Sequence, residues 1–362
     1  MSKVRSAPDF VIMFATLFLL GIGIVMVYSA SAVVALKYGD PYFFTKRQLI
    51  FAILGIAAMY TLMNIDYWVW KQWAKTAFVL SIALLLLVLV IGVEVNGSKS
   101  WLGLGAFGIQ PGEFAKIGVA IFLAKWLAEH QKQIVLLKQG LLPALAIPAV
   151  CFALIMLQPD LGTGTVLMGT AILMIFVAGA RLRHYIGFGL LAIAGFAALV
   201  LSAPYRIKRI TAFIDPWQDP LNSGYQIIQS LYAIGPGGLL GLGLGQSRQK
   251  HLYLPEPYND FIFSIIAEEL GFIGGTLVLL LFLLLLWRGM RVAITAPDLF
   301  GSLLAVGIIG MIAIQVVINV GVVTGMFPVT GITLPFLSYG GSSLTLMLTA
   351  VGILLNISRY AR

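Results

Sequence analysis

Charged residues are scarce in this chain of 362 residues. They account for 10% of it, whereas 60% of its residues are apolar. A soluble protein needs roughly a quarter of its residues charged to cover its surface. The composition therefore excludes a soluble domain and predicts a polytopic membrane protein, with residues 1–362 forming a single membrane domain.

Several chemical motifs are also missing. The lone cysteine, Cys151, excludes an intrachain disulfide, and the three histidines lack the spacing of metal ligands. No phosphate-binding loop and no Gly-x-Ser-x-Gly motif is present, so nothing predicts ATP use or serine hydrolysis. The net charge is +9, and the sequence contains no run of five basic residues. It predicts a positive-inside topology and attraction to anionic lipids, with no nucleic acid as partner.

Ten apolar stretches reach or approach the length of about 20 residues that a helical membrane span needs. They cover residues 10–34, 48–63, 76–93, 113–127, 140–157, 161–180, 185–203, 260–287, 300–326 and 334–356. We expect an all-α integral membrane protein with ten transmembrane helices. A long outer loop, residues 204–259, separates the seventh helix from the eighth.

The distribution of Lys and Arg predicts the orientation of this bundle. An even number of spans puts both termini on one side, and the basic residues favour an inner N-terminus and an inner C-terminus. Four irregular segments then lie on the outer face, at residues 96–112, 158–160, 204–259 and 328–341. We therefore expect the functional site on the outer face.

An acid stands where the long outer loop enters the membrane. Asp260 follows a polar, proline-broken stretch, and Glu268 and Glu269 lie about two turns deeper. Acids at that depth are costly and usually functional. On a regular helix Asp260 and Glu268 would project roughly 80° apart and Glu269 would point away from Asp260, so one surface cannot hold all three. The alternatives are a helix cap for Asp260 and hydrogen bonds within the bundle for the glutamates.

Further candidates lie at the other outer segments. Glu113 and Lys116 share a helix face, where they neutralise each other or line a cavity in which Lys116 meets a phosphate. Asp160 caps the sixth helix, lines the same cavity, or does both. The proline- and glycine-rich residues 328–343 interrupt an apolar region, which is tolerated only where protein or a water-filled cavity covers the backbone. In the long loop, residues 225–232 predict an amphipathic interfacial helix.

Several strings resemble one family, the SEDS polymerases of the bacterial cell wall. They are Trp101-Leu102-Gly103 and residues 110–116, 158–162, 254–271 and 328–343, and they extend over nearly the whole chain. Residues 203–209, 215–217 and 230–232 are more similar to the division and sporulation types than to the elongation type. The resemblance implies a ten-helix peptidoglycan glycosyltransferase of the bacterial cytoplasmic membrane. Its substrate would be lipid II, polymerised on the outer face, and its partner a class B penicillin-binding protein, a transpeptidase.

The resemblance implies that Asp260 is the catalytic residue and that Glu113, Lys116 and Asp160 belong to the substrate cavity. A carboxylate such as Asp260 can take the proton of a sugar hydroxyl as general base. The departing pyrophosphate needs a cation, supplied by basic side chains or by a divalent ion such as Mg or Mn. The basic candidates are Lys116, Arg206, Lys208 and Arg209, although the default role of the last three is a solvated or lipid-facing surface. The other expected substrate-binding residues are Gln110, Lys250, Glu268 and Ser338.

Two other classes of function remain open at this point. Intramembrane charges and broken helices also suit a lipid II flippase or another transporter. Against transport, the inner face lacks irregular loops that would match those outside. The third class is a non-catalytic scaffold that positions the transpeptidase.

Overall fold

The computed structural model describes residues 5–95, 98–103, 108–201, 207, 211, 213–222 and 224–361. This part of the chain is mostly helical. It contains eleven α-helices: α1 Phe10–Ala35, α2 Phe43–Asn64, α3 Trp68–Ile91, α4 Pro111–Glu129, α5 Leu142–Met156, α6 Leu161–Val177, α7 Leu182–Leu201, α8 Tyr225–Ile234, α9 Ile262–Thr295, α10 Leu299–Val323 and α11 Gly341–Ser358.

Seven of the described helical segments are long and apolar enough to cross a membrane. They are Phe10–Tyr38, Phe43–Asn64, Trp68–Ile91, Leu137–Met156, Ile262–Thr295, Leu299–Val323 and Gly341–Ser358, and Leu161–Val177 is a shorter apolar helix. Each of the ten predicted spans overlaps a helix, but the count of ten membrane crossings stays a prediction. In α10 and α11 72% of the span is buried, against 22% in α3, so these two helices form the centre of the bundle.

Some helix boundaries differ from the prediction for a local reason. The last helix begins at Gly341 rather than at residue 334. Ser338 prevents an earlier start, because its hydroxyl accepts a hydrogen bond from the backbone N–H of Leu334 at 2.8 Å. The amide of Gln48 also donates to the Ser338 carbonyl at 3.1 Å. These bonds hold the preceding residues in a non-helical path.

A small antiparallel hairpin departs from the all-α expectation. Strand β1, Val93–Val95, pairs with strand β2, Ser98–Trp101, directly after α3. The hydroxyl of Ser98 donates to the carbonyl of Gln158 at 2.6 Å and attaches the hairpin to the turn between α5 and α6. Two of the segments predicted to share the outer face are thus in contact.

The two ends of the described chain meet at one end of the bundle. The backbone N–H of Ser6 donates to the carbonyl of Arg359 at 2.8 Å. The guanidinium of Arg5 donates to the hydroxyl of Tyr360 at 2.9 Å and to Asp66 at 2.6 Å. Both ends therefore lie on one side, as an even number of spans requires, whereas the assignment of that side to the cell interior stays a prediction.

Helix α9 is interrupted at Gly271, whose φ of 67° is not helical. Residues 238–243 of the long loop fill the break. Leu242 and Gly243 donate their backbone N–H groups to the carbonyls of Glu268 and Glu269, at 2.9 and 3.0 Å. On the far side of the break, the N–H groups of residues 272 and 273 donate to the carbonyls of residues 238 and 239, at 2.8 and 3.2 Å. The loop thus replaces the two helical bonds that the break removes.

Candidate active site

Asp260 lies in a turn two residues before α9, which begins at Ile262 with Phe261 as its N-cap. The capping role considered for Asp260 is therefore wrong, and the angles of a regular helix do not apply to it. Its side chain is partly exposed. Within the described residues its carboxylate has no hydrogen-bond partner. The carboxylate is thus not committed to an internal hydrogen bond in this part of the chain.

The backbone next to this free carboxylate is held at three successive carbonyls. The carbonyl of Tyr258 accepts from the N–H of Tyr339 at 2.9 Å. The carbonyl of Asn259 accepts from the hydroxyl of Ser338 at 2.7 Å, and that of Asp260 from the side-chain amide of Asn319 at 2.8 Å. The polypeptide is fixed while the acid stays free, an arrangement that suits a reacting group.

The irregular residues 328–341 pass between Asp260 and the start of α6. Asn319 also donates to the carbonyl of Ile332 at 2.7 Å. A Cβ placed on Gly331 would lie 3.6 Å from Oδ2 of Asp260, and a Cβ placed on Gly162 would lie 2.8 Å from the carbonyl oxygen of Thr330. Such approach leaves no room for a side chain at Gly162. The segment therefore lies next to Asp260. The hydroxyl of Ser338 bonds to backbone groups of Leu334 and Asn259, and substrate binding by Ser338 stays a prediction.

Asp160 caps α6 and belongs to the same site. Its Oδ1 accepts from the N–H of Thr163 at 3.0 Å. Its Oδ2 accepts from the Thr163 hydroxyl at 2.8 Å and from the side-chain amide of Gln110 at 3.0 Å. The capping role is therefore confirmed, whereas the role of Asp160 in lining a substrate cavity stays a prediction. Gln110 precedes α4 and so joins the ends of two helices.

Glu113 and Lys116 form the local ion pair that their spacing allows, with 2.8 Å between Oε1 and Nζ. Their exposure of 7% and 3% leaves little contact with water. Ser343, at the start of α11, donates to Oε2 of Glu113 at 3.0 Å. A role for Lys116 in phosphate binding stays a prediction and requires the ammonium to share its contact with Glu113.

Burial and two neighbouring acids shift the proton affinity of Asp260. Removal from water is the largest cause, followed by the negative charges of Glu256 and Asp160, and together they raise the pKa of the Asp260 carboxyl to about 7. Each cause disfavours the ionised form. A carboxyl whose pKa lies near neutral pH can both accept and release a proton under physiological conditions.

Lys250 and Glu268 lie in a second cluster. It is formed where the loop residues 245–250 contact Glu268 and Glu269 of α9. The ammonium of Lys250 lies 3.1 Å from Oε1 of Glu269 and 3.2 Å from the hydroxyl of Ser29. Ser247 donates its hydroxyl to Glu268 at 2.5 Å and its N–H to Glu269 at 3.1 Å. The glutamates thus hydrogen-bond within the protein, as the alternative held. Substrate binding by Lys250 or Glu268 stays a prediction.

Besides Lys116, the cations expected to meet the pyrophosphate are basic side chains of the long loop or a divalent metal ion. Arg206 lies outside the described residues, as do Lys208 and Arg209. Among the residues that are described, no three His, Cys, Asp or Glu side chains gather in a way that could hold a metal ion. A divalent cation therefore stays a prediction and has no ligand set in the described structure.

Asn319, Thr163 and Ser343 are site residues that the sequence reasoning missed. Asn319 is 1% exposed and lies within the apolar helix α10. A buried amide needs hydrogen-bond partners, so an isolated Asn in an apolar run was the available signal. Thr163 and Ser343 carried no comparable signal, because hydroxyls in membrane helices often bond to their own backbone.

The fold and the site define a multi-pass membrane protein with a free carboxylate held among irregular segments at one end of its bundle. The chain belongs to the FtsW/RodA/SpoVE family, whose model, described as "Cell cycle protein", matches residues 10–362. It is 64% identical over 365 residues to Stage V sporulation protein E of Bacillus subtilis (strain 168), with 100% of both chains covered. It is 47% identical to the probable peptidoglycan glycosyltransferase FtsW of Trichlorobacter lovleyi, covering 97% of this chain and 93% of the relative.

Comparison with solved structures leads to the same family. A chain from a structure titled "Structural coordination of polymerization and crosslinking by a peptidoglycan synthase complex" matches with a TM-score of 0.82 and 34% identity, covering 98% of both chains. The rod shape determining protein RodA of Thermus thermophilus matches with a TM-score of 0.73 and 33% identity, covering 98% of this chain and 97% of that one.

Proposed function

We propose that this chain is a peptidoglycan glycosyltransferase that polymerises lipid II into glycan strands on the outer face of the bacterial cytoplasmic membrane. Asp260 is its general base. The observation that carries the proposal is the Asp260 carboxylate, which has no hydrogen-bond partner among the described residues and stands on a backbone fixed at three carbonyls. Relatives named as peptidoglycan glycosyltransferases support the reaction class.

The proposed reaction joins two lipid-linked sugars. The carboxylate of Asp260 takes the proton of the acceptor's C4 hydroxyl as that oxygen attacks the anomeric carbon of the donor. The bond from this carbon to the donor's pyrophosphate breaks, and the lipid pyrophosphate leaves with the electron pair. A base whose pKa lies near the working pH is suited to this transfer. Both substrates carry lipid chains, so the site must be reachable from the bilayer.

The leaving pyrophosphate and the partner belong to the proposal as well. Lys116 would meet the leaving pyrophosphate, and Arg206, Lys208, Arg209 or a divalent ion such as Mg or Mn would add charge. We also propose a class B penicillin-binding protein as partner. The support is a structural neighbour from a complex whose title couples polymerization to crosslinking.

Polymerisation of lipid II by the purified protein in detergent tests the function. Detergent removes the two compartments that transport requires, so strand formation there supports a transferase. The assay is run with and without the penicillin-binding protein and with and without a divalent cation. No strands under any condition, together with movement of labelled lipid II across vesicles, would establish the transporter instead. A scaffold would give neither product but would still bind the transpeptidase.

The rate is expected to depend on pH through Asp260. The active form is the carboxylate, which is lost as pH falls through its pKa of about 7. At pH 6 the rate should be roughly one tenth of its plateau above pH 8. Glu256→Gln removes a negative charge that raises this pKa, so the acid limb of the kcat profile should move to lower pH. Glu94→Gln, a distant acid on the hairpin, is the control and should leave the profile unchanged.

Asn319→Ala removes the donor that holds the carbonyls of Asp260 and Ile332. Misplacement of a catalytic group by about 1 Å can cost on the order of 100-fold in rate, so we expect kcat to fall by about 10- to 100-fold with KM nearly unchanged. Gln315→Ala is the matched control, a buried amide one turn away on α10 without a hydrogen bond to the site residues. Equal losses in the two variants would contradict the positioning role.

A further inference from the structure

A cavity of about 820 Å³ opens in the outer loop, between helix α8 and residues 245–253. Gln229 and Tyr232 line it from α8, and Gln246, Arg248, Gln249 and Tyr253 line it from the other side. None of its lining residues belongs to the cluster around Asp260. It is therefore a separate site, within the range of about 300–1,000 Å³ that ligand sites occupy.

The floor of this cavity is built on buried charges. The backbone N–H groups of Gly245 and Ser247 donate to the carboxylate of Glu269, at 3.0 and 3.1 Å. The N–H of Arg248 donates to the carboxylate of Glu268 at 2.8 Å. Both carboxylates are almost completely buried. Because these bonds use backbone groups, they fix the segment without using the side chains of Gln246 and Arg248.

The opposite wall is fixed as well. The hydroxyl of Ser230, on α8, lies 2.7 Å from that of Ser264 and donates to the carbonyl of Val323 at 2.7 Å. On the other face of α8, Tyr232 packs against Trp217 with 5.9 Å between ring centres. The cavity is preformed, so a ligand would not have to order its walls. The Ser230–Ser264 contact also places α8 beside the first turn of α9, close to Asp260 in the chain.

The chemistry of the lining selects a class of ligand. Three carboxamides and two phenols can bond to hydroxyl and amide groups, and the phenol rings offer flat faces to sugar rings. The lining contains no acid and no aliphatic side chain. Arg248 takes part in none of the ion pairs of the described residues.

These features favour an anionic glycan over the other classes of ligand. A free guanidinium is suited to a carboxylate. A lipid chain or an apolar helix would find no aliphatic contact, and a metal ion would find no carboxylate.

We propose that this cavity binds the lipid-free disaccharide-peptide portion of a peptidoglycan strand, with Arg248 on a peptide carboxylate and the carboxamides and phenols on the sugars. The choice of glycan rests on the proposed function, because the strand made at Asp260 is an acidic glycan produced on the same face. The cavity would hold the strand after it leaves the catalytic cleft.

Equilibrium binding of a soluble disaccharide-pentapeptide to the purified full-length protein tests the proposal. We expect saturable binding that Arg248→Gln weakens by about tenfold or more and that Tyr253→Ala also weakens. A neutral disaccharide of N-acetylglucosamine, which carries no carboxylate, should bind about as weakly to the wild type as the full probe binds to Arg248→Gln. Arg291→Gln, an exposed arginine outside the cavity, is the charge-matched control, and thermal melting verifies that each variant is folded.

Asp260→Asn separates this site from the catalytic one and should bind the probe as the wild type does. Loss of binding in Asp260→Asn would place the probe in the catalytic cleft and overturn the proposal. Unchanged binding of the probe in both Arg248→Gln and Tyr253→Ala would also overturn the proposal. The same holds if the wild type does not bind the probe but binds a protein partner through Arg248. Binding that depends on Arg248 in a protein that makes no strands would leave the cavity site standing and refute the proposed function.

Discussion

Asp260→Asn is expected to lower kcat for strand polymerisation by about 100- to 10,000-fold, the range that a positioned general base contributes. Asparagine has nearly the same shape as aspartate but cannot accept the proton of the attacking hydroxyl. Since the carboxylate has no hydrogen-bond partner within the described residues, its replacement breaks no internal bond. We therefore expect an unchanged melting temperature and a KM close to that of the wild type. Initial rates with saturating lipid II provide the measurement.

Asp40→Asn is the matched control for this substitution. Asp40 follows α1 and pairs with Lys46 at 2.7 Å. It should keep the full rate. If Asp260→Asn retained more than about a tenth of wild-type kcat, the general-base role would be refuted. A large fall in melting temperature would instead mean that Asp260 supports the fold.

Lys250→Met is expected to lower the free energy of unfolding by about 3–5 kcal/mol, because it leaves the buried carboxylate of Glu269 without its cation. Glu269 is completely buried, and Lys250 also donates to the carbonyl of Gly245 at 2.6 Å. Methionine keeps much of the volume of lysine and removes the charge. Thermal or denaturant unfolding of the purified protein in detergent measures the loss.

Two variants make this second prediction specific. Lys46→Met removes a cation from an exposed pair and should change stability far less. Adding Glu269→Gln to Lys250→Met removes the unpaired charge and should restore part of the lost stability, a coupling that a double-mutant cycle measures. Equal stability of Lys250→Met and the wild type would show that the cluster is not a buried ion pair.

The parts of the site that could be predicted from the sequence depend on local patterns. An acid after a proline-broken loop identified Asp260, and the three-residue spacing identified the pair of Glu113 and Lys116. The cap at Asp160 followed from its place before an apolar helix. Each of these features needs only a few neighbouring residues, so a single sequence contains the information.

The remaining features depend on contacts between distant parts of the chain. Ser338 lies 79 residues from the carbonyl that it holds, and Ser29 lies 240 residues from Glu269. Neither distance leaves a local pattern. The start of α9 at Ile262 was missed because the turn before it is fixed by α10 and by residues 338–339. The break at Gly271 was missed because its bonds come from the outer loop.

The break at Gly271 also bears on how the chain enters the membrane during synthesis. Residues 272–295 alone would span about 36 Å as a helix, more than the roughly 30 Å of the hydrocarbon core. The insertion machinery therefore needs to recognise only this part as a membrane segment. Residues 262–270, with Glu268 and Glu269, can dock afterwards against the outer loop that neutralises them. The two acids thus reach the interior of the finished protein without having to lie in the segment that is recognised as a membrane span.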